Sequence, residues 1–243
     1  MEIERGADAA PGDAAPAPAP TATPQPSDPP APADAVEMAK QCLSRMSDPT
    51  ELVCRDKERA RIEGFISEHV ASQSGGSLYI SGKPGAGKTA TIGHVLRSLS
   101  VGGNRAKVVQ FNCMSASEPA QVYHEILTAV GGNFKAHRSL STRKAMELLD
   151  SKYLVKPKTK SARMVVLVLD EVDQLETRDK SVLYTVFQWA QRAESNVVLI
   201  GIANGLDLTE RVLPMLKSRG LSPELMNFQP YSKPQLVQVI ESR

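Results

Sequence analysis

The residues best equipped for chemistry lie in "SGKPGAGKTA", residues 81–90. Gly82-Lys83-Pro84-Gly85-Ala86-Gly87-Lys88-Thr89 has the spacing G-x-x-x-x-G-K-[ST]. Glycines let a backbone wrap closely round phosphate oxygens, and exposed N–H groups with a helix N-terminus attract negative charge. Lys88 is spaced to reach β- and γ-phosphates, and the Thr89 hydroxyl to ligate Mg²⁺. The apolar run "SLYIS" precedes the turn and "KTATIGHVLRSL" follows it. That strand–turn–helix context is what a phosphate-binding loop requires. The implied ligand is a nucleotide with Mg²⁺.

Such a loop needs carboxylates at the tip of a neighbouring buried strand. "MVVLVLDEVDQL" leads an apolar run into Asp170 and Glu171. Asp170 is placed to hold Mg²⁺, and Glu171 to polarise a water that attacks the γ-phosphate. The plainer reading is a pair of acids opening a loop. Asp173 reads better as a capping or surface acid. "NVVLIGIANGLDL" ends another apolar run at Asn204. Its amide could bond the γ-phosphate or the attacking water, or it could be an ordinary strand-to-turn residue.

The elements that must position these groups alternate along the chain. "AKVVQFN", "MVVLVLD", "NVVLIGIAN" and "ELMNFQ" join "SLYIS" as predicted strands. "EPAQVYHEILTAV", "RKAMELL", "DKSVLYTVFQWAQRA" and "LTERVLPMLKS" read as helices between them, and "RDKERARIEGFISEHVASQ" as one before them. Near-continuous apolar runs suit parallel strands covered on both faces. The expectation is an α/β fold with a five-stranded parallel sheet flanked by helices.

Composition bounds the rest. The 243 residues are 41% apolar with a formal net charge of +2, which does not by itself declare a nucleic-acid binder. Residues 1–35, rich in Ala and Pro, cannot bury enough apolar surface to fold and are expected to be disordered. Their acidic start has no apolar core for export, and no stretch reaches the roughly 18 to 20 apolar residues of a membrane helix, so no membrane partner is expected. Cys42, Cys54 and Cys113 have neither metal-ligand nor disulfide-framework spacing and fit a reducing compartment. Residues 135–163 hold nine basic residues against Glu147 and Asp150. This stretch, with Lys156, Lys158 and Lys160 near its end, is either a solvated loop or a surface for phosphates of duplex DNA. One aromatic, Tyr153, argues against base stacking.

"SGKPGAGKTA", "VLVLDEVDQL", "LIGIANGLDLTERVLPMLKSR" and "FNCMSASEPAQVYHEIL" together resemble the AAA+ replication-initiator family, in its cell division control protein 6 branch. The resemblance spans residues about 50 to 243. It implies a P-loop at Lys88 and Thr89, a Walker B pair at Asp170 and Glu171, and a sensor 1 at Asn204. It implies that Arg219 faces a neighbouring subunit's γ-phosphate, although a plain surface arginine past a helix end is equally compatible with the residues. "LVCRDKE", residues 52–58, resembles the segment over the adenine base and makes Val53 and Arg55 candidate contacts; the family usually has Pro at the position of Val53. The implied domains are a tail (1–35), an AAA+ base (36–230) and the start of a helical lid (231–243). The chain stops in what reads as the first lid helix, so slow hydrolysis by this chain alone is expected.

The implied function is ATP-dependent licensing in the nucleus. The chain would act with the origin recognition complex to load the minichromosome maintenance helicase. The alternatives are a nucleotide-dependent interaction module that does not hydrolyse, or a protein like the largest origin recognition complex subunit.

Overall fold

The computed structural model describes residues 53–101, 106–132, 140–155, 163–175, 181–204 and 207–242. The tail, Cys42 and Lys156, Lys158 and Lys160 lie outside the described residues.

Helix α1, Asp56–Ser72, buries Ile62, Phe65 and Ile66 at helical spacing. It leads to β1, Gly76–Gly82. The glycine-rich turn 82–89 then opens α2, Lys88–Val101. Next come β2, Ala106–Asn112, and α3, Val122–Gly131. Helix α4, Thr142–Leu148, starts with the Ser141 side chain accepting from the Lys144 N–H and runs into a π turn, Leu149–Tyr153. Strand β3, Met164–Asp170, is followed by a 3₁₀ turn, Val172–Leu175, and α5, Ser181–Gln191. The chain closes with β4, Val197–Ile202, α6, Asp207–Ser218, β5, Glu224–Phe228, and α7, Lys233–Glu241.

The five strands form one parallel sheet in the order β2-β3-β4-β1-β5. This is the expected α/β architecture, with two differences of detail. Only β1, β3 and β4 are buried along their whole length. The edge strands β2 and β5 alternate between covered and exposed positions, because each has a neighbour on one side only. The acidic strand β3 also does not adjoin β1; β4 lies between them.

Strand alternation sorts the core into two layers. Tyr79, Leu167, Leu169, Val197 and Leu199 face α3 and α5. Leu78, Ile80, Val166, Val168, Val198 and Ile200 face α1 and α2. Trp189 of α5 anchors the first layer at 1% exposure. Its ring meets Tyr123 edge-on at 5.6 Å, and its Nε1–H donates to Asp150 Oδ1 at 3.0 Å. Trp189→Ala removes this packing and should destabilise the fold by about 3–5 kcal/mol, read as a lowered urea midpoint.

Candidate functional site: a phosphate cradle with two acidic and one amide partner

All five strands are parallel, so their C-terminal ends share one edge of the sheet. Ligands of open α/β sheets bind at that edge. Gly85 and Gly87 take φ of 78° and 85°, a region that suits glycine, and bend the turn between β1 and α2. A Cβ on Gly87 would also collide with the Tyr231 hydroxyl.

The Lys88 ammonium, 4% exposed, is held within the turn. It donates to Gly82 O at 2.8 Å, Lys83 O at 3.1 Å and Asn204 Oδ1 at 3.0 Å. Burial holds this ammonium below the usual lysine range, and the carboxylates of Asp170, Asp173 and Glu171 oppose that shift. The Thr89 hydroxyl donates to Asp170 Oδ2 at 2.8 Å. Asp170 Oδ1 accepts the Glu171 N–H at 2.9 Å. The structure thus brings Lys88, Thr89, Asp170, Glu171 and Asn204 to one edge. Thr89 and Asp170 form an all-oxygen pair suited to a hard cation such as Mg²⁺.

Other expected positions lie outside this set of hydrogen bonds. Val53 is half-buried, and Arg55 is 3% exposed with its guanidinium committed to protein groups. Asp173 sits in the 3₁₀ turn, and its Oδ1 is buried without a hydrogen bond among the described residues. Arg219 follows α6 at an exposed position. The Leu221 N–H donates to Leu216 O and the Gly220 N–H to Lys217 O, with Gly220 at φ 75°. This helix stop fixes the Arg219 backbone. Its guanidinium lies 3.7 Å from the Tyr184 ring centre.

Tyr184, Tyr231 and Phe228 do not stand out in the sequence. The first belongs to an amphipathic helix that gives no sign of a cation above it. The others stand in "NFQPYS", where two aromatics flank a Pro after a strand and are the one available signal.

A family model described as "AAA domain" matches residues 71–208. The "Cell division control protein 6 homolog" of Homo sapiens is 39% identical over 196 residues, covering 80% of this chain and 34% of that protein. The chain belongs to the AAA+ replication-initiator family. "Origin recognition complex subunit 1" of Mus musculus is 35% identical over 216 residues, covering 87% of this chain and 25% of its own length. Among solved structures, Drosophila ORC bound to DNA matches with a TM-score of 0.73 and 30% identity, covering 91% of this chain and 54% of that one. The Aeropyrum pernix ORC1 protein in complex with DNA matches with a TM-score of 0.65 and 26% identity, covering 84% and 52%. The chain spans about a third of the length of the first curated relatives it matches. The AAA+ domain places this site in a nucleotide-binding family.

Cys113 lies directly after β2, 2% exposed. Burial, then the negative charges of Asp170, Asp173 and Glu171, push its thiol up to about 12. The thiol therefore stays protonated through neutral pH. Above the unfolded value of 9.0 the unfolded chain loses that proton first, so this group's stabilisation is lost as pH rises towards 12. Native iodoacetamide labelling at pH 8 followed by peptide mapping should leave Cys113 unmodified, with modification appearing in denaturant.

Proposed function

We propose that this chain binds ATP with Mg²⁺ in the turn Gly82–Thr89 and serves origin licensing. In this reading it acts with the origin recognition complex on duplex DNA, in the nucleus, to load the minichromosome maintenance helicase. Residues 36–230 are the nucleotide-binding base, and residues 231–243 begin a lid. One observation carries the nucleotide reading: Lys88, Thr89, Asp170, Glu171 and Asn204 converge at one sheet edge from three separate segments. Likeness to relatives named cell division control protein 6 and origin recognition complex subunit 1 supports the licensing part.

Each side chain has a role that its geometry suits. Lys88 is a desolvated ammonium among neutral oxygens, and phosphate oxygens are stronger acceptors for it. Thr89 and Asp170 would hold Mg²⁺, which would supply neutralisation of phosphate charge. Glu171 accepts the proton of the attacking water, and Asn204 orients that water or a γ-oxygen. Arg219, exposed at the end of α6, is available to a neighbouring subunit's γ-phosphate, where a cation stabilises transition-state charge.

Two substitutions separate binding from chemistry. Lys88→Ala removes a charge that no backbone N–H replaces, and calorimetric ATP affinity should fall at least tenfold, about 1.4 kcal/mol. Glu171→Gln keeps the shape but removes the base. It should bind ATP as before while turnover in the assembled complex drops about a hundredfold or more. Equal affinity of Lys88→Ala and the unsubstituted chain would reject the nucleotide reading.

The DNA part rests on Lys156, Lys158 and Lys160. Phosphate contacts release counterions, so binding should be steep in salt and indifferent to sequence. Reversing all three to Glu, with origin recognition complex present, should lower the log–log salt slope by roughly 0.9 for each phosphate no longer neutralised. An unchanged slope would make the basic stretch a solvated surface.

A further inference from the structure

Arg55 is a charged side chain buried to 3% exposure beside the phosphate turn but outside it in sequence. Its Nη1–H donates to Glu58 Oε1 at 2.7 Å. Its Nη2–H groups donate to Ala86 O at 2.8 Å and to Gln229 O at 2.6 Å. The Tyr231 and Phe228 rings lie 4.1 Å and 5.2 Å from the guanidinium carbon. Its Nε–H is buried with no acceptor among the described residues, so the cage is built round the two Nη groups. Burying a guanidinium is costly unless hydrogen bonds and counter-charge offset it. Here three separate segments supply those partners: the first turn of α1, the phosphate turn, and the connection from β5 to α7.

The bond to Ala86 has a geometric consequence. Ala86 C=O and Gly87 N–H belong to one planar trans peptide and point in opposite directions. Drawing the carbonyl to Arg55 turns the Gly87 N–H away from Arg55. Among the described residues no protein acceptor takes that N–H. It immediately precedes Lys88 at the mouth of α2, where phosphate-binding turns present N–H groups to anions.

We propose that Arg55 is a positioning residue for the phosphate cradle, fixing the Ala86–Gly87 peptide so that its N–H faces a bound phosphate. It acts on the phosphate through that peptide and has no part in reading the base. The same nitrogen holds Gln229 O, so the cradle and the chain entering α7 share one anchor. A lysine cannot reproduce this, because a single ammonium lacks the planar fork and the flat face for stacking on both rings. The proposal rests on the reading of Gly82–Thr89 as a nucleotide site.

The test compares two ligands on the 243-residue chain by calorimetry, Mg²⁺-ATP and Mg²⁺ with inorganic triphosphate. Arg55→Lys should weaken both by the same factor, about tenfold. A loss confined to ATP would assign Arg55 to the base and overturn the proposal. No loss for either ligand would overturn it as well. Failure of the unsubstituted chain to bind either ligand would remove the nucleotide reading and this proposal together. Glu58→Gln keeps Arg55 but loosens its fork, and decides the matter where Arg55→Lys does not fold by thermal melt. It should weaken both ligands equally, about two- to threefold. In ¹⁵N-labelled chain the shift of the Gly87 amide on adding inorganic triphosphate should shrink with it. A Gly87 shift of undiminished size in that variant would show that the peptide is oriented without Arg55.

Discussion

The bond from the Thr89 hydroxyl to Asp170 is the interaction around which the site is organised. It joins residues 81 apart in sequence at 2.8 Å and spans a gap that β4 separates. Asp170 is 6% exposed, and a carboxylate so buried must be hydrogen-bonded. Thr89 takes one oxygen and the Glu171 N–H the other. That requirement sets how far β3 extends and at what height α2 begins. The register Asn112↔Asp170 and Leu169↔Gly201 then aligns the tips of β2 and β4 with it. Asn204 arrives beside Lys88 because it follows β4, which lies between β1 and β3 in the sheet.

Glu171 shows what the arrangement costs locally. It has φ 56°, a region in which a residue with a Cβ is strained by roughly 1–2 kcal/mol. The strain persists because both its backbone groups are held, the N–H by Asp170 and the carbonyl by the Gln174 N–H. A glycine would relieve it and would remove the carboxylate. The turn therefore stops β3 sharply and sets two successive acidic residues at the strand tip, one bound within the protein and one following it out of the sheet.

What can be read from sequence is what is local. The turn Gly82–Thr89 and the runs ending at Asp170 and Asn204 are contiguous, and their apolar stretches follow from burial on both faces. Strand order is not legible. An apolar run does not reveal its neighbours, and β4 separates β1 from β3. Edge position is equally hidden: "AKVVQFN" gives no warning that β2 is covered on one side only. In sequence, Arg55 is only one member of a segment near the base. Its partners Ala86 and Gln229 lie 31 and 174 residues away, and no spacing rule links them. Tyr184 is hidden for the same reason, since a cation above an aromatic ring requires two elements to be in place.

Three cations among the described residues are held in place by their surroundings. Lys88, Arg55 and Arg219 are each fixed by neighbours before any ligand arrives: carbonyls and an amide for the first, a cage for the second, a helix stop and an aromatic ring for the third. A charge held in place spends little reorganisation or side-chain entropy when its partner comes, and this favours directional recognition of phosphate. Lysines that work by counterion release need no such fixing, because that effect depends on charge density more than on orientation. A transferring phosphoryl group demands charge at defined points, whereas a duplex backbone of repeated phosphates accepts charge anywhere along its length.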